Sequence, residues 1–357
     1  MKAPELQRSL EEAKDFRKSE SQALVSARTS GLKTEAREYL SVLREDPRHQ
    51  EARKLIIYDR WEKLGEKIEV VSVSDTTGTV ITDGMPLTRI IQAKEGGGLK
   101  TLDSFEKINA TSAISDLEAD IVVEITQSTK DGKPGISHIV SAFENEKNVV
   151  TANKGALVSD TDLFKTAREM RRTLKYEATV CGGLPVFNMM DYCMIPAKIS
   201  SVDGIFNATS TFVISQLEAG KSLASAKSEA IRIGIAERDQ RDDLEGIDSA
   251  RKGTILHRRI FGSNLRLRDA DISAKQSEIA SGTRQFTEVT EKGIKVGYKK
   301  VTEKNVFSNA VGPSMVIRFN TDVLDHLTLF TDHDGPLESA ATVLNDILLS
   351  RSEKGAQ

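Results

Sequence analysis

The spacing of apolar residues changes along the chain and predicts which segments form strands and which form helices. Short runs of valine and isoleucine, each stopped by a polar or turn residue, predict strands, whereas apolar residues three or four apart predict helices. In the first half, strands are predicted at residues 68–75, 120–126 and 148–152, with a helix at 134–143. Strands that alternate with helices are typical of βαβ units and a mostly parallel sheet, so we predict an α/β protein.

The pattern changes after about residue 176. A strand is predicted at 199–206, and the helices and strand-like segments that follow it cover residues 210–218, 222–233, 248–257, 294–298, 315–319 and 336–350. An α+β domain before a returning C-terminal helix fits this order. Residues 1–38 are charged and carry apolar residues at loose helical spacing, so we interpret them as a helical extension.

Composition narrows the class of protein. A length of 357 residues is enough for two domains, and a net charge of −3 argues against a dedicated nucleic-acid surface. No apolar run approaches the length that crosses a bilayer, and the acidic start does not look like a signal peptide. Two cysteines, Cys181 and Cys193, cannot alone form a disulfide framework or a zinc site. We therefore predict a cytoplasmic protein that binds neither nucleic acid nor membranes.

The segment 234–252 carries the strongest chemical signal. Asp248 and Lys252 are four residues apart, so on a helix they share one face and can pair. Acidic residues crowd the loop before them, which is costly unless cations or hydrogen-bond donors lie close. A lysine held by carboxylates in a cleft can position a substrate and pass it a proton. The alternative interpretation is a solvated helix start with ordinary salt bridges.

Several polar residues lie at or just beyond the ends of the predicted strands. The apolar strand at 148–152 leads to Asn153 and Lys154, while Asp75 and Thr126 lie at the ends of the other two strands. Parallel sheets bind ligands at the carboxyl ends of their strands. These positions are therefore where we expect ligand contacts, and the alternative is an ordinary polar loop.

The segment 176–185 combines small residues with a helix-starting proline. Gly182 and Gly183 let the backbone approach another group closely, and Pro185 can begin a helix. The approaching group could be a ligand or another part of the chain. Taken alone, the segment favours a tight structural turn.

Together, and in this order, the three segments resemble homoserine dehydrogenases, especially the short forms that lack a C-terminal regulatory domain. The similarity is good over residues 65–262 and weaker but recognisable to residue 349, and the segment 234–252 is its most specific part. The resemblance implies an α/β fold with a Rossmann-like dinucleotide-binding domain, an α+β catalytic and dimerisation domain, and a C-terminal helix that returns to the first domain, at residues 39–175, 176–330 and 331–357.

The resemblance also implies an activity and assigns roles by position. The implied reaction is the NAD(P)-dependent interconversion of L-aspartate 4-semialdehyde and L-homoserine in threonine and methionine biosynthesis, carried out by a homodimer. Lys252 matches the proton donor to the aldehyde oxygen, and Lys154 matches the lysine between substrate and nicotinamide. Substrate binding is assigned to three carboxylates: Glu237, Asp243 and Asp248.

Cofactor and cation contacts follow from the resemblance and from the strand ends. NAD or NADP is expected to contact four residues: Thr126, Lys154, Asp75 and Gly335. A monovalent cation, usually sodium, is expected at the Glu177 carboxylate and at three backbone carbonyls: Val180, Gly182 and Leu184.

Two loops depart from the family pattern. A dinucleotide fold normally has a glycine-rich turn after its first strand, yet the corresponding residues, 43–48, contain no glycine. The glycine-rich loop before the last helix reads Thr-Asp-His-Asp-Gly at 331–335 and keeps only its final glycine. Three interpretations are open: an enzyme with an altered nucleotide site, a non-catalytic amino-acid-binding or regulatory paralogue without cofactor, or a reading-frame error before residue 65.

Overall fold

Three β-sheets organise the part of the chain that the structure, a computed structural model, describes: residues 68–159, 162–301 and 306–352. The predicted extension at 1–38 and the glycine-free segment at 43–48 lie outside the described residues. From Val70 onward the chain packs as one unit.

The first sheet is small and antiparallel, with its strands in sequence order. Its elements are β1 (Ser72–Asp75), β2 (Gly78–Ile81), α1 (Leu87–Gly96), β3 (Phe105–Glu106) and α2 (Ala110–Asp116). The strand predicted at 68–75 is present over its last four residues. The prediction that it joins a parallel sheet is wrong within the described residues, because a two-residue turn after Asp75 folds the chain back against it as β2.

The second sheet is parallel, with strand order β4-β5-β6. Its elements are β4 (Ile121–Glu124), α3 (Gly135–Glu144), β5 (Asn148–Thr151), α4 (Lys154–Val158), α5 (Leu163–Glu169) and β6 (Leu174–Lys175). The central strand β5 is buried along its whole length, which explains its continuous apolar sequence. This confirms the predicted βαβ arrangement. Since Glu124 pairs with Thr151, the carboxyl ends of β4 and β5 lie side by side.

The third sheet has six strands in the order β12-β11-β7-β9-β10-β8. These are β7 (Ile199–Ile205), β8 (Asp271–Ile272), β9 (Thr283–Thr290), β10 (Gly293–Lys300), β11 (Met315–Thr321) and β12 (His326–Thr331). All pairs are antiparallel except that of β8 and β10. The strands predicted at 199–206, 294–298 and 315–319 are confirmed as β7, β10 and β11.

The second half also contains helices, two of which, at 208–218 and 247–261, pack on this sheet. The helices are α6 (Val186–Asn188), α7 (Ala208–Glu218), α8 (Leu223–Arg232), α9 (Arg241–Leu244), α10 (Ile247–Phe261) and α11 (Pro336–Ser352). Helix α10 lies so close to the sheet that a Cβ atom on Gly253 would be 2.9 Å from Ile294. It begins after Gly246, whose φ of 79° and close approach to Val296 both require glycine. None of the described helices is long and apolar enough to cross a bilayer.

The last helix returns to the segment that follows the parallel sheet. Asp346 of α11 accepts a hydrogen bond from the Glu177 backbone N at 2.9 Å, and the Thr342 hydroxyl donates to the Gly182 carbonyl at 2.6 Å. A Cβ atom on Gly182 would be 2.6 Å from the Ser339 hydroxyl. The close approach predicted at the paired glycines is therefore made by the chain's own helix.

Candidate active site

A buried carboxylate between two lysines forms the centre of the site. Asp248 lies in the first turn of α10, and its Oδ2 is 2.8 Å from Nζ of Lys252, one turn further along the helix. Its Oδ1 is 2.9 Å from Nζ of Lys154, the first residue of α4. The pairing of Asp248 with Lys252 that the sequence predicts is present, and a lysine from the end of the parallel sheet joins it.

Asn207 connects this carboxylate to a second one. Its Nδ2 donates to Asp243 at 2.7 Å and to Asp248 at 3.2 Å, while its Oδ1 caps the start of α7. Lys252 also donates to the backbone carbonyl of Phe206, the residue before Asn207. The end of β7 therefore sets the positions of the lysine and of both aspartates.

The charges in this cluster keep Lys252 protonated. Burial lowers the pKa of Lys252, but the negative groups around it, chiefly Asp248, together outweigh this effect and hold that pKa above its ordinary value. Burial raises the pKa of Asp248, yet Lys154 and Lys252 outweigh it and hold that pKa well below its usual range. Burial and the negative charge of Asp248 raise the pKa of Asp243. Lys252 thus holds its proton, and Asp243 is a carboxylate that a nearby cation would stabilise.

A buried glutamate, Glu124, fixes the segment that leads into the helix beginning at Lys154. Glu124, at the end of β4, accepts hydrogen bonds from the backbone N of Thr126 at 2.8 Å, from the hydroxyl of Thr126, and from Asn153 Nδ2 at 3.3 Å. Its other carboxylate oxygen is 2.5 Å from His138 Nδ1. Asn153 in turn caps α4, which begins at Lys154. Burial raises the pKa of Glu124, but the hydrogen bonds from His138 and Thr126 leave it below its ordinary value.

Among the described residues, no hydrogen bond or ion pair joins the remaining predicted cofactor and substrate residues to Asp248, Lys154 or Lys252. Thr126 is exposed at the end of β4. Asp75 accepts a hydrogen bond from Lys94 at 2.6 Å, and this bond helps to lower its pKa to about 2 although burial opposes the change. Glu237 is exposed before α9 and has no hydrogen bond to another described residue. Gly335 immediately precedes α11.

The predicted cation ligands lie between the parallel sheet and α6. Glu177 is buried, and its two carboxylate oxygens each accept one backbone N–H, from Phe187 and Asn188, at 2.7 Å. The carbonyls of Val180, Gly182 and Leu184 belong to the turn that follows. Carboxylate and carbonyl oxygens accept more than one partner, so these atoms retain lone pairs that suit a cation.

Comparison with known proteins places the chain in a family. A family model described as homoserine dehydrogenase matches residues 185–348, and one described as homoserine dehydrogenase, NAD binding domain, matches residues 36–177. The homoserine dehydrogenase of Methanocaldococcus jannaschii is 31% identical over 311 residues, which are 82% of this chain and 93% of that protein. The chain belongs to the homoserine dehydrogenase family. It is thus an NAD(P)-dependent oxidoreductase with a Rossmann-type domain, as its sequence predicts.

Other similar proteins agree with the homoserine dehydrogenase assignment. The NAD(+)-dependent homoserine dehydrogenase of Pseudomonas canavaninivorans is 27% identical over 314 residues, 81% of this chain and 88% of that one. The crystal structure of homoserine dehydrogenase from Thermoplasma acidophilum is 31% identical with a TM-score of 0.74, covering 83% of this chain and 94% of that chain. A non-catalytic paralogue is not favoured, because these relatives match over most of their length.

Sequence reasoning missed three polar residues of the site. Asn207 and Glu124 lie far along the chain from the lysines that they help to position, and neither stands out from its neighbours in the sequence. In the sequence, Asp334 stands out only as part of a loop that has lost its expected glycines, yet it lies within electrostatic reach of Lys252. A buried polar residue at the end of an apolar strand is a signal that would have found Glu124, since such a group requires partners.

The burial of Glu177 generates a pH prediction. Burial raises the pKa of Glu177 to about 7 from an ordinary 4.5, despite the hydrogen bonds from Phe187 and Asn188. At pH values between 4.5 and about 7, Glu177 is therefore protonated in the folded protein but ionised in the unfolded chain. We therefore expect wild type to gain stability relative to Glu177→Gln as the pH falls through this window, by at most about 3 kcal/mol.

Urea unfolding of both proteins, at about pH 7.5 and about pH 5 in choline salts, measures this difference. Effects of other titrating groups cancel in the comparison. An equal difference in unfolding free energy at the two pH values would contradict the raised pKa.

Proposed function

We propose that this chain catalyses the NAD(P)-dependent interconversion of L-aspartate 4-semialdehyde and L-homoserine, a step of threonine and methionine biosynthesis. The observation that carries the proposal is the buried Asp248 carboxylate with Lys154 on one oxygen and Lys252 on the other. A charged lysine in a desolvated site can stabilise the oxygen of a reacting carbonyl. The names of the relatives supply the identity of the substrate.

Lys252 is the proposed proton donor during reduction of the aldehyde. Its Nζ holds a proton under the influence of Asp248, and it hands this proton to the oxygen that becomes the hydroxyl of homoserine. In the reverse direction the same Nζ takes the proton from the hydroxyl. Lys154 approaches the same carboxylate from α4 and is proposed to orient the substrate beside the nicotinamide.

The substrate ammonium group is proposed to bind the acidic side of the cluster. Both oxygens of Asp248 already contact lysines. Its proposed role is therefore to position the two lysines and to balance the positive charge of the substrate's ammonium group. Asp243 accepts one hydrogen bond from Asn207 and keeps acceptor capacity for a cation. Glu237 is exposed, and we propose that it contacts the ammonium group from the loop before α9.

The cofactor, NAD or NADP, supplies or accepts the hydride when bound. The proposed contacts are Thr126, Lys154, Asp75 and Gly335, at strand ends and at the start of α11. The end of β4 suits a nicotinamide ring, since exposed Ile125 offers an apolar surface and Thr126 a hydroxyl group that accepts a hydrogen bond from Asn153, the residue before Lys154. Asp75, at the end of β1, is proposed to accept a hydrogen bond from a ribose hydroxyl.

Replacing Lys252 by Ala tests the catalytic role. We expect kcat for homoserine oxidation to fall about 10²–10⁴-fold, the usual contribution of a positioned proton donor, with a much smaller change in homoserine affinity. The matched control is Lys165→Ala, which removes an exposed lysine of α5 and should leave turnover unchanged. Steady-state kinetics with calorimetric titration of homoserine measures both quantities. Near-normal turnover in Lys252→Ala would exclude this role.

We also propose a monovalent cation, sodium, at Glu177 and at the carbonyls of Val180, Gly182 and Leu184. A cation would neutralise a buried carboxylate whose charged form burial disfavours. We expect sodium chloride to raise the thermal unfolding temperature above that in choline chloride at equal ionic strength, through preferential binding to the folded state. Glu177→Gln should lose this increment, and an equal increment in the variant would argue against the site.

A homodimer is proposed through the six-stranded sheet. The face that carries Val316 has a small apolar cluster with Phe286 and Phe307 beside a hollow of about 440 Å³. Phe330, which pairs with Val316 across β11 and β12, is 42% exposed. A large aromatic residue exposed next to an apolar cluster is typical of a surface that another protein covers.

Sedimentation velocity tests the dimer. Wild type is expected to sediment as a dimer at micromolar concentration, and Phe330→Glu is expected to shift it towards monomer, because the variant places a charge in the interface. Ile195→Glu, which changes a more exposed apolar residue before β7, is the control and should remain dimeric. A monomeric wild type would refute the proposal, as would an unchanged dimer in Phe330→Glu.

A further inference from the structure

The loop between β12 and α11 turns one of its two acids inward. Asp332 is exposed, whereas Asp334 is partly buried, and its Oδ1 is completely inaccessible to solvent. That oxygen accepts no hydrogen bond from any described residue. The family resemblance predicts a glycine-rich loop at this place, so the Asp334 carboxylate is a departure of this chain from the family pattern.

Asp334 lies on the wall of the active site. Its Oδ1 is 3.0 Å from the position that a Cβ atom on Gly182 would occupy, so a side chain there would crowd the carboxylate. Its strongest electrostatic partners are Lys252 and Lys154, followed by the acids Glu338 and Asp248. The carboxylate therefore belongs to the same cluster of charges as the two lysines.

The cluster has an excess of carboxylates over lysines. Asp243, Asp248 and Asp334 face Lys154 and Lys252, which leaves one excess negative charge when all five are ionised. Both oxygens of Asp248 are occupied by the lysines and one oxygen of Asp243 by Asn207. Oδ1 of Asp334 is a buried carboxylate oxygen of this cluster that has no donor among the described residues.

A buried carboxylate oxygen without a donor destabilises the folded protein unless something else satisfies it. Burial raises the pKa of Asp334, and the two lysines only partly oppose the rise. A hydrogen-bond donor on a bound ligand would satisfy this oxygen, and a cationic donor would also remove the excess charge.

We propose that Asp334 is a further ligand-binding residue of this active site, whose Oδ1 accepts a hydrogen bond from an N–H group of the bound ligand. Two N–H groups are available under the proposed function, on which this inference rests: the ammonium group of the amino-acid substrate and the carboxamide of the nicotinamide. Both are donors that a carboxylate accepts, and charge balance favours the ammonium group.

Paired ligands that differ only in the N–H group separate the two sources. L-homoserine is compared with 4-hydroxybutanoate, which lacks the amino group, and NAD is compared with its 3-acetylpyridine analogue, which lacks the amide N–H. Each is titrated by calorimetry against wild type, Asp334→Asn and the control Asp332→Asn, which changes the exposed acid of the same loop. None of these measurements depends on turnover.

We expect Asp334→Asn to weaken the binding of one N–H-bearing ligand about 10–100-fold, as loss of a charge-assisted hydrogen bond implies, and to leave its matched analogue unchanged. Weaker binding of homoserine alone would identify the ammonium group as the donor to Asp334, and weaker binding of NAD alone would identify the carboxamide. Asp332→Asn should behave as wild type. Equal affinities of wild type and Asp334→Asn for all four ligands would overturn the proposal.

The stability of the ligand-free proteins separates binding from a structural role. Because burial disfavours the charged form of Asp334, Asp334→Asn should unfold at the same temperature as wild type or higher. A variant that is less stable and binds all ligands as wild type does would show a structural role and refute the inference. Asp334→Glu, which keeps the charge but moves it, gives the same comparison if the first variant does not fold. Failure of wild type to bind any ligand would count against the proposed function instead.

Discussion

The site depends on one buried carboxylate that serves two lysines. Asp248 contacts Lys252 from its own helix and Lys154 from the helix that follows the parallel sheet. Removing a buried charged partner typically costs several kcal/mol, because the charge left behind has no water to replace it. Each lysine therefore requires Asp248, and Asp248 requires both lysines to remain ionised. The packing of α10 on the large sheet and the capping of α4 by Asn153 make this three-way contact possible.

Structural features that depend on residues close together in the sequence could be predicted from the sequence. The helix at 248–257 and its Asp248–Lys252 pair follow from a four-residue spacing, and the apolar strand before Lys154 follows from burial of β5 on both faces. The crowding of acids before α10 also predicted that cations would lie close to them, and the structure shows two such ion pairs. Asp242 pairs with Arg251 at 2.7 Å and Asp239 with Arg241 at 2.5 Å.

Long-range pairing could not be predicted in the same way. The turn after Asp75 placed β1 in an antiparallel sheet, although its composition is that of a parallel strand. Strand β9, a central strand of the large sheet, was missed because polar residues occupy inward positions. Gln285, for example, donates to the carbonyl of Asp243. Asn207 and Glu124 act only on residues that are distant in sequence, so no spacing rule identifies them. The family resemblance suggested a role for each site residue, whereas only the folded structure shows which residues contact one another.

The return of α11 to the turn at Gly182 sets an order of events during synthesis. Thr342 and Asp346, which hydrogen-bond to this segment, are synthesised after Lys154 and Lys252. Domains generally fold as units while the chain is being made, beginning at the N-terminus. The wall of the pocket that holds Asp334 therefore cannot be completed until after the two lysines and Asp248 have been made. A nascent chain can assemble its charged centre before the enclosure for the substrate is complete.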